Sequence, residues 1–112
     1  MDYKEAFIKT CKELDKRYKS IEKRLKKLEP KTEEQKKTIE SLLGYIEILT
    51  EYKNLSHTAL LRSNINNLCF NLISVIDNKF YNDLYYILWD FGQLAEITEK
   101  VLQIKEEKEI EI

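Results

Sequence analysis

Few side chains in this chain are of a type that carries catalytic or metal chemistry, so their spacing decides what they can do. His57 is the single histidine, and Cys11 and Cys69 are the two cysteines. A general base needs a partner within hydrogen-bond reach, and no carboxylate lies three or four residues from His57. Asn54 stands where the Glu-x-x-His pair of a di-iron bundle would carry its glutamate. The Arg-to-His spacing of helical ribonucleases is missing, and two cysteines with one histidine cannot complete a four-ligand zinc site. The expectation is a non-enzymatic chain with no catalytic residue, metal site or cofactor. His57 reads as a neutral residue at a helix start, and both cysteines read as reduced thiols on apolar helical faces.

Recognition chemistry is better represented. Six of the twelve residues from Phe80 to Phe91 are aromatic, and Tyr81, Tyr85, Trp89 and Gly92 recur about once per helical turn. Tyr and Trp bury large areas at low entropy cost and keep a polar tip, which suits a protein interface. Tyr86 lies across the helix from the apolar arc and is expected to be exposed. The alternative use of this ridge is to fill core. A second series, Lys9, Lys12, Lys16, Lys19, Lys23 and Lys26, forms a basic stripe that follows a phosphate backbone in one reading and is a solvated helix face in the other. Interleaved Glu13, Asp15 and Glu22 oppose phosphate binding. Asn64, Asn66, Asn67 and Asn71 crowd one segment. Such amides must be paired if buried, so they are expected to cross-link helices or contact a partner.

These groups need elements to hold them, and the pattern is helical throughout. Phe7, Cys11, Leu14, Tyr18, Ile21, Leu25 and Leu28 step by alternating fours and threes, the period of a coiled-coil seam, over a helix at about 2–28. Pro30 ends it. A second helix at about 32–53 opens with Thr32 and Gln35 as a capping box and carries Ile39, Leu42, Ile46 and Leu49. Gly44 inside it suits a close helix crossing. A third helix, about 57–77 with Ser56 as its N-cap, has Leu61, Ile65, Leu68, Leu72 and Val75/Ile76 on one face and Ser63, Asn67, Phe70 and Ser74 behind. Its span from Ser56 to Ile76 holds one basic residue, Arg62, in a chain that is 35% charged. So neutral a stretch is expected to be the covered, organising element. A fourth helix at about 79–107, opened by Asn78 or Asn82, places Phe80, Leu84, Ile87, Leu88, Phe91, Ala95, Thr98 and Leu102 on one arc. Residues 108–112 lack a capping signal and are expected to fray.

Short connections between these helices predict an all-α fold, an antiparallel four-helix bundle of two helical hairpins within a single domain spanning 1–112. A looser variant has the N-terminal hairpin projecting as a coiled coil while the last two helices form a dimer core. Two glycines and one proline leave little turn material for an all-β fold, and 43% apolar content excludes disorder. The net charge of −1 divides unevenly, with ten Lys/Arg against six Asp/Glu in residues 1–29 and three against eight in residues 80–112. These ends attract if they lie side by side. No apolar signal core follows Met1, and the neutral stretch is too polar for lipid, so a cytoplasmic protein without membrane contact is expected.

The function expected from these residues is protein binding through an aromatic helical face, using Tyr81, Tyr85, Tyr86 and Trp89. A small stoichiometric inhibitor of the kind phages and mobile elements use, an adaptor and a subunit all fit that description. The partner is a protein, with a homodimer among the arrangements. The alternatives are a nucleic-acid-associated protein using Lys12, Lys16, Lys19, Lys23 and Lys26, and a self-assembling structural subunit.

Overall fold

The computed structural model describes residues 2–111. Among them lie four helices, α1 (Tyr3–Lys26), α2 (Glu33–Leu49), α3 (Leu55–Asn71) and α4 (Lys79–Glu107), with a 3-10 turn at Leu72–Val75 after α3. Each begins at a side-chain cap that leaves few orphan N–H groups. Asp2 caps α1, Thr32 accepts from the Gln35 N–H at 3.1 Å, and Asn78 accepts from the Phe80 N–H at 2.9 Å. The Gln35 side chain reaches back to the Lys31 N–H at 2.6 Å, completing a capping box displaced by one residue. The cap of α3 is Asn54, whose Oδ1 accepts from the His57 N–H at 2.8 Å, and not Ser56. Asn54 therefore starts the helix two residues earlier than the hydrophobic pattern suggests. α2 stops at Leu49, four residues short of expectation, and α3 gives way to the 3-10 turn six residues short.

Neighbouring helices run antiparallel in a closed ring, with α1 beside α2 and α4, and α3 beside α2 and α4. The register is visible in pairs that count up one helix and down the other. Tyr18 meets Thr98, and Arg24 meets Asp90 at 2.6 Å across α1 and α4. Arg62 meets Glu99 at 2.5 Å across α3 and α4. Because α1 is bound along α4 in this way, the N-terminal hairpin does not project. Arg24 of α1 reaches Asp90 of the acidic α4, while the lysines of α1 stay exposed to solvent.

The organising element is α4, which corrects the expectation for the neutral stretch. Leu84, Leu88, Phe91 and Ala95 are wholly inaccessible, and ten residues of α4 are buried against four of α3. Long and apolar on a wide arc, α4 contacts α1 on one side and α3 on the other. Gly92 sits where α3 approaches most closely. A methyl group there would lie 2.4 Å from Asn66 Oδ1 and 3.7 Å from Ile65. Gly44 holds no such position, since nothing lies within 4 Å of where its Cβ would be.

Two polar contacts hold the interior in register. The Tyr18 hydroxyl and Thr98 Oγ1 are 2.6 Å apart and buried, and Thr98 donates to the Leu94 carbonyl at 2.8 Å, so Tyr18 donates to Thr98. Burial pushes the Tyr18 hydroxyl pKa well above its ordinary value. Tyr18 also meets Phe91 edge to face, with centroids 6.1 Å apart. At the loop after α2, Tyr52 takes a left-handed φ of 54°. That conformation costs a side-chain-bearing residue about 1–2 kcal/mol. The ring is buried, its hydroxyl donates to Asp15 at 2.7 Å, and its carbonyl accepts from Lys105 at 3.0 Å. One residue thus ties the α2–α3 loop to both α1 and α4.

Beyond α4, in the segment 108–112 expected to fray, the described residues form a cap. Glu109 adopts φ 51°, the Ile110 N–H donates to the Lys105 carbonyl at 2.9 Å, and the Glu109 N–H donates to Glu106 at 3.2 Å. This is a Schellman motif with glutamate in the left-handed position usually held by glycine. Ile112 lies outside the described residues.

Candidate protein-binding face

α3 and α4 present a continuous surface in which large apolar side chains meet water. The helical step that buries Leu61, Ile65, Cys69 and Leu72 of α3 turns Leu60, Phe70 and Ile73 outward. Phe70 is 76% exposed and Trp89 of α4 is 56% exposed. Between them runs a groove of about 270 Å³, lined by Asn66, Cys69 and Phe70 from α3, by Ile73 from the turn after it, and by Tyr85 and Trp89 among others from α4. Its floor includes Leu88 and Gly92. The glycine lets the helices pack closely beneath while the rings stand apart above.

Three of the four aromatic residues singled out from the sequence converge here. Tyr85 is half-buried and contacts Tyr86 edge to face at 5.4 Å and Trp89 at 6.3 Å, and Tyr86 is exposed, as expected. Tyr81 does not join them. It lies half-buried against Phe80 with centroids 5.2 Å apart and serves packing. Cys69 is a free thiol whose S–H points to the Tyr85 carbonyl at 3.7 Å, and burial raises its pKa. Ile73 joins this face beyond the change from α-helix to 3-10 turn at Leu72. That change also leaves Val75 and Ile76 exposed, where a continued helix would have buried them.

The asparagines do not cross-link helices. Asn64, Asn66, Asn67 and Asn71 are all exposed, so their amides are satisfied by water or by another molecule. Arg62 pairs with Glu99 toward the α4 side. The outward surface of α3 and the turn after it, comprising Leu60, Ser63, Asn64, Asn67, Phe70, Asn71 and Ser74, therefore carries no charge.

Lys9, Lys12, Lys16, Lys19, Lys23 and Lys26 are exposed along α1 on the far side of the molecule from its seam. Lys26 pairs with Glu22 at 2.9 Å, and Lys16 approaches Glu13 at 3.4 Å. The Lys26 hydrogen bond, aided by its charge, lowers the Glu22 carboxyl pKa. The stripe is a mixed-charge, solvated surface with intrahelical pairs. His57 is exposed at the start of α3. Among the described residues, no three His, Cys, Asp or Glu side chains converge as a metal site, and no helix is long and apolar enough to cross a membrane. Compared with family models, curated proteins and solved structures, the chain shows no match.

Proposed function

We propose that this chain is a non-enzymatic protein-interaction module whose binding surface is the groove and rim formed by α3 and α4. The observation that carries the reading is the exposure of Phe70 and Trp89 on either side of one apolar groove. The same chain buries Phe7, Phe80 and Phe91 almost completely. Contiguous exposed aromatic surface with a polar rim is what protein interfaces present before they are covered. Trp and Tyr at the centre of such a patch carry a large share of binding energy. An inhibitor, an adaptor and a subunit of a larger assembly each use a surface of this kind.

The α1 lysine stripe supports nucleic-acid binding less well, because acids are interleaved with its cations and two of its lysines, Lys16 and Lys26, pair with them. A photo-crosslinking residue placed at Phe70 and, in a second variant, at Lys16 separates the two surfaces in the native cell. Covalent capture of a polypeptide from position 70 and not from position 16 supports the reading. Capture of nucleic acid from position 16 alone overturns it.

A further inference from the structure

We infer that the occupant of the α3 face is a second copy of this chain, joined across a two-fold axis that passes beside Asn67. The inference rests on the reading of this surface as an interface and commits it to one partner. Charge comes first. A two-fold interface places each patch against itself, so any charge near its centre meets its own like. The outward surface of α3 has none from Leu60 to Ser74, with Arg62 held on Glu99. A partner chosen by charge would find nothing there to select it.

The spacing is also its own mirror. Residues 63, 64, 67, 70 and 71 of α3 are symmetric about position 67. An antiparallel copy of α3 centred there opposes Ser63 to Asn71, Asn64 to Phe70 and Asn67 to itself. Serine opposite the larger side chains allows close approach, and a primary amide carries both donors and an acceptor, so Asn67 is complementary to its own copy. An asparagine paired with its own copy across such a seam fixes register. This gives three exposed amides, those of Asn64, Asn67 and Asn71, a use that the monomer does not.

The area is of the right order. With about 150–250 Å² per aromatic side chain, the exposed parts of Phe70, Tyr86 and Trp89 amount to roughly 290–480 Å². Leu60, Ile73 and the amides bring the surface toward the ~800 Å² that each partner contributes to a stable complex.

The test is sedimentation equilibrium of the whole chain and of two variants, Asn67→Lys and Asn67→Asp. Asn67 is exposed, so neither substitution disturbs the core, and circular dichroism verifies that helicity is kept. The wild type is expected at about twice 13.5 kDa in the micromolar range. Each variant alone should dissociate at least tenfold more readily, because like charges meet on the axis. An equimolar mixture of the two should recover the dimer. A wild type that stays monomeric at several hundred micromolar overturns the inference, as does a mixture no more associated than its components. Crosslinking from position 70 then separates the two levels. Capture of a different polypeptide with a monomeric chain retains the interface and rejects the second copy, whereas capture of nothing rejects both.

Discussion

Replacing Phe70 by alanine separates what the exposed face contributes to folding from what it contributes to association. Phe70 is 76% exposed. Of a side-chain area of about 150–250 Å², some 35–60 Å² is covered, worth about 1–1.5 kcal/mol at ~25 cal/mol per Å². Alanine is the better helix former by several tenths of a kcal/mol, so the net loss should stay at or below ~1 kcal/mol. Phe91, with no exposure, is the internal control, and its truncation should cost about 3–5 kcal/mol. Urea unfolding followed by circular dichroism at low concentration gives both values. Association of Phe70→Ala, measured by sedimentation, should weaken at least tenfold while its dilute-solution stability is nearly unchanged. If Phe70→Ala costs as much as Phe91→Ala in the dilute chain, the ring is a structural element and the surface reading is refuted.

Other perturbations test the rest of the structure. Thr98→Val should cost about 1–3 kcal/mol by stranding the buried Tyr18 hydroxyl, and Tyr18→Phe about 1 kcal/mol, with the double variant little worse than the first; strict additivity would contradict the bond. Gly44→Ala should stabilise by about 0.5–1 kcal/mol, since its methyl meets nothing within 4 Å, and thermal unfolding reads the gain. Stability should be level through neutral pH and fall on the alkaline side. Burial, aided by Asp15, raises Cys11 from 9.0 to about 11, and Tyr18 and Tyr52 are raised from 10.0. The unfolded chain then loses these protons first, so stability declines from about pH 9 upward. In Cys11→Ala the decline between pH 9 and 10 should be shallower, since Cys69, also raised by burial, is then the one raised thiol left.

How much of this was legible in the sequence depends on which physical signal each feature left. The α1 seam from Phe7 to Leu25 was legible because a 4,3 repeat has one structural solution, and Thr32 and Asn78 were legible as caps because their neighbours have helical spacing. Eight residues, Phe80, Leu84, Ile87, Leu88, Phe91, Ala95, Thr98 and Leu102, also fell where the α4 arc placed them, and all are buried. The role of α3 was misjudged for a definite reason. Neutrality shows that a surface is poor in charge, but it does not distinguish one already covered by the chain from one still open to water. Asparagine carries the same ambiguity, and all four side chains proved exposed. The left-handed positions left no sequence signal, since Tyr52 and Glu109 occupy conformations normally marked by glycine or asparagine. Tertiary contacts hold Tyr52 there, and local backbone hydrogen bonds hold Glu109. At the candidate site, Tyr85, Tyr86 and Trp89 were legible from composition, whereas the Phe70–Ile73 wall required knowing where α3 ends.

Trp89 is the single tryptophan and stands on the rim of the groove, so its fluorescence reports directly on whether this face is covered. In dilute chain its emission should be that of a solvated indole, open to quenching by acrylamide. As the chain is concentrated into the associated state, the emission should shift to shorter wavelength and quenching should fall by several-fold. Emission and quenching that stay constant, while sedimentation reports association, would place the contact elsewhere and contradict the account.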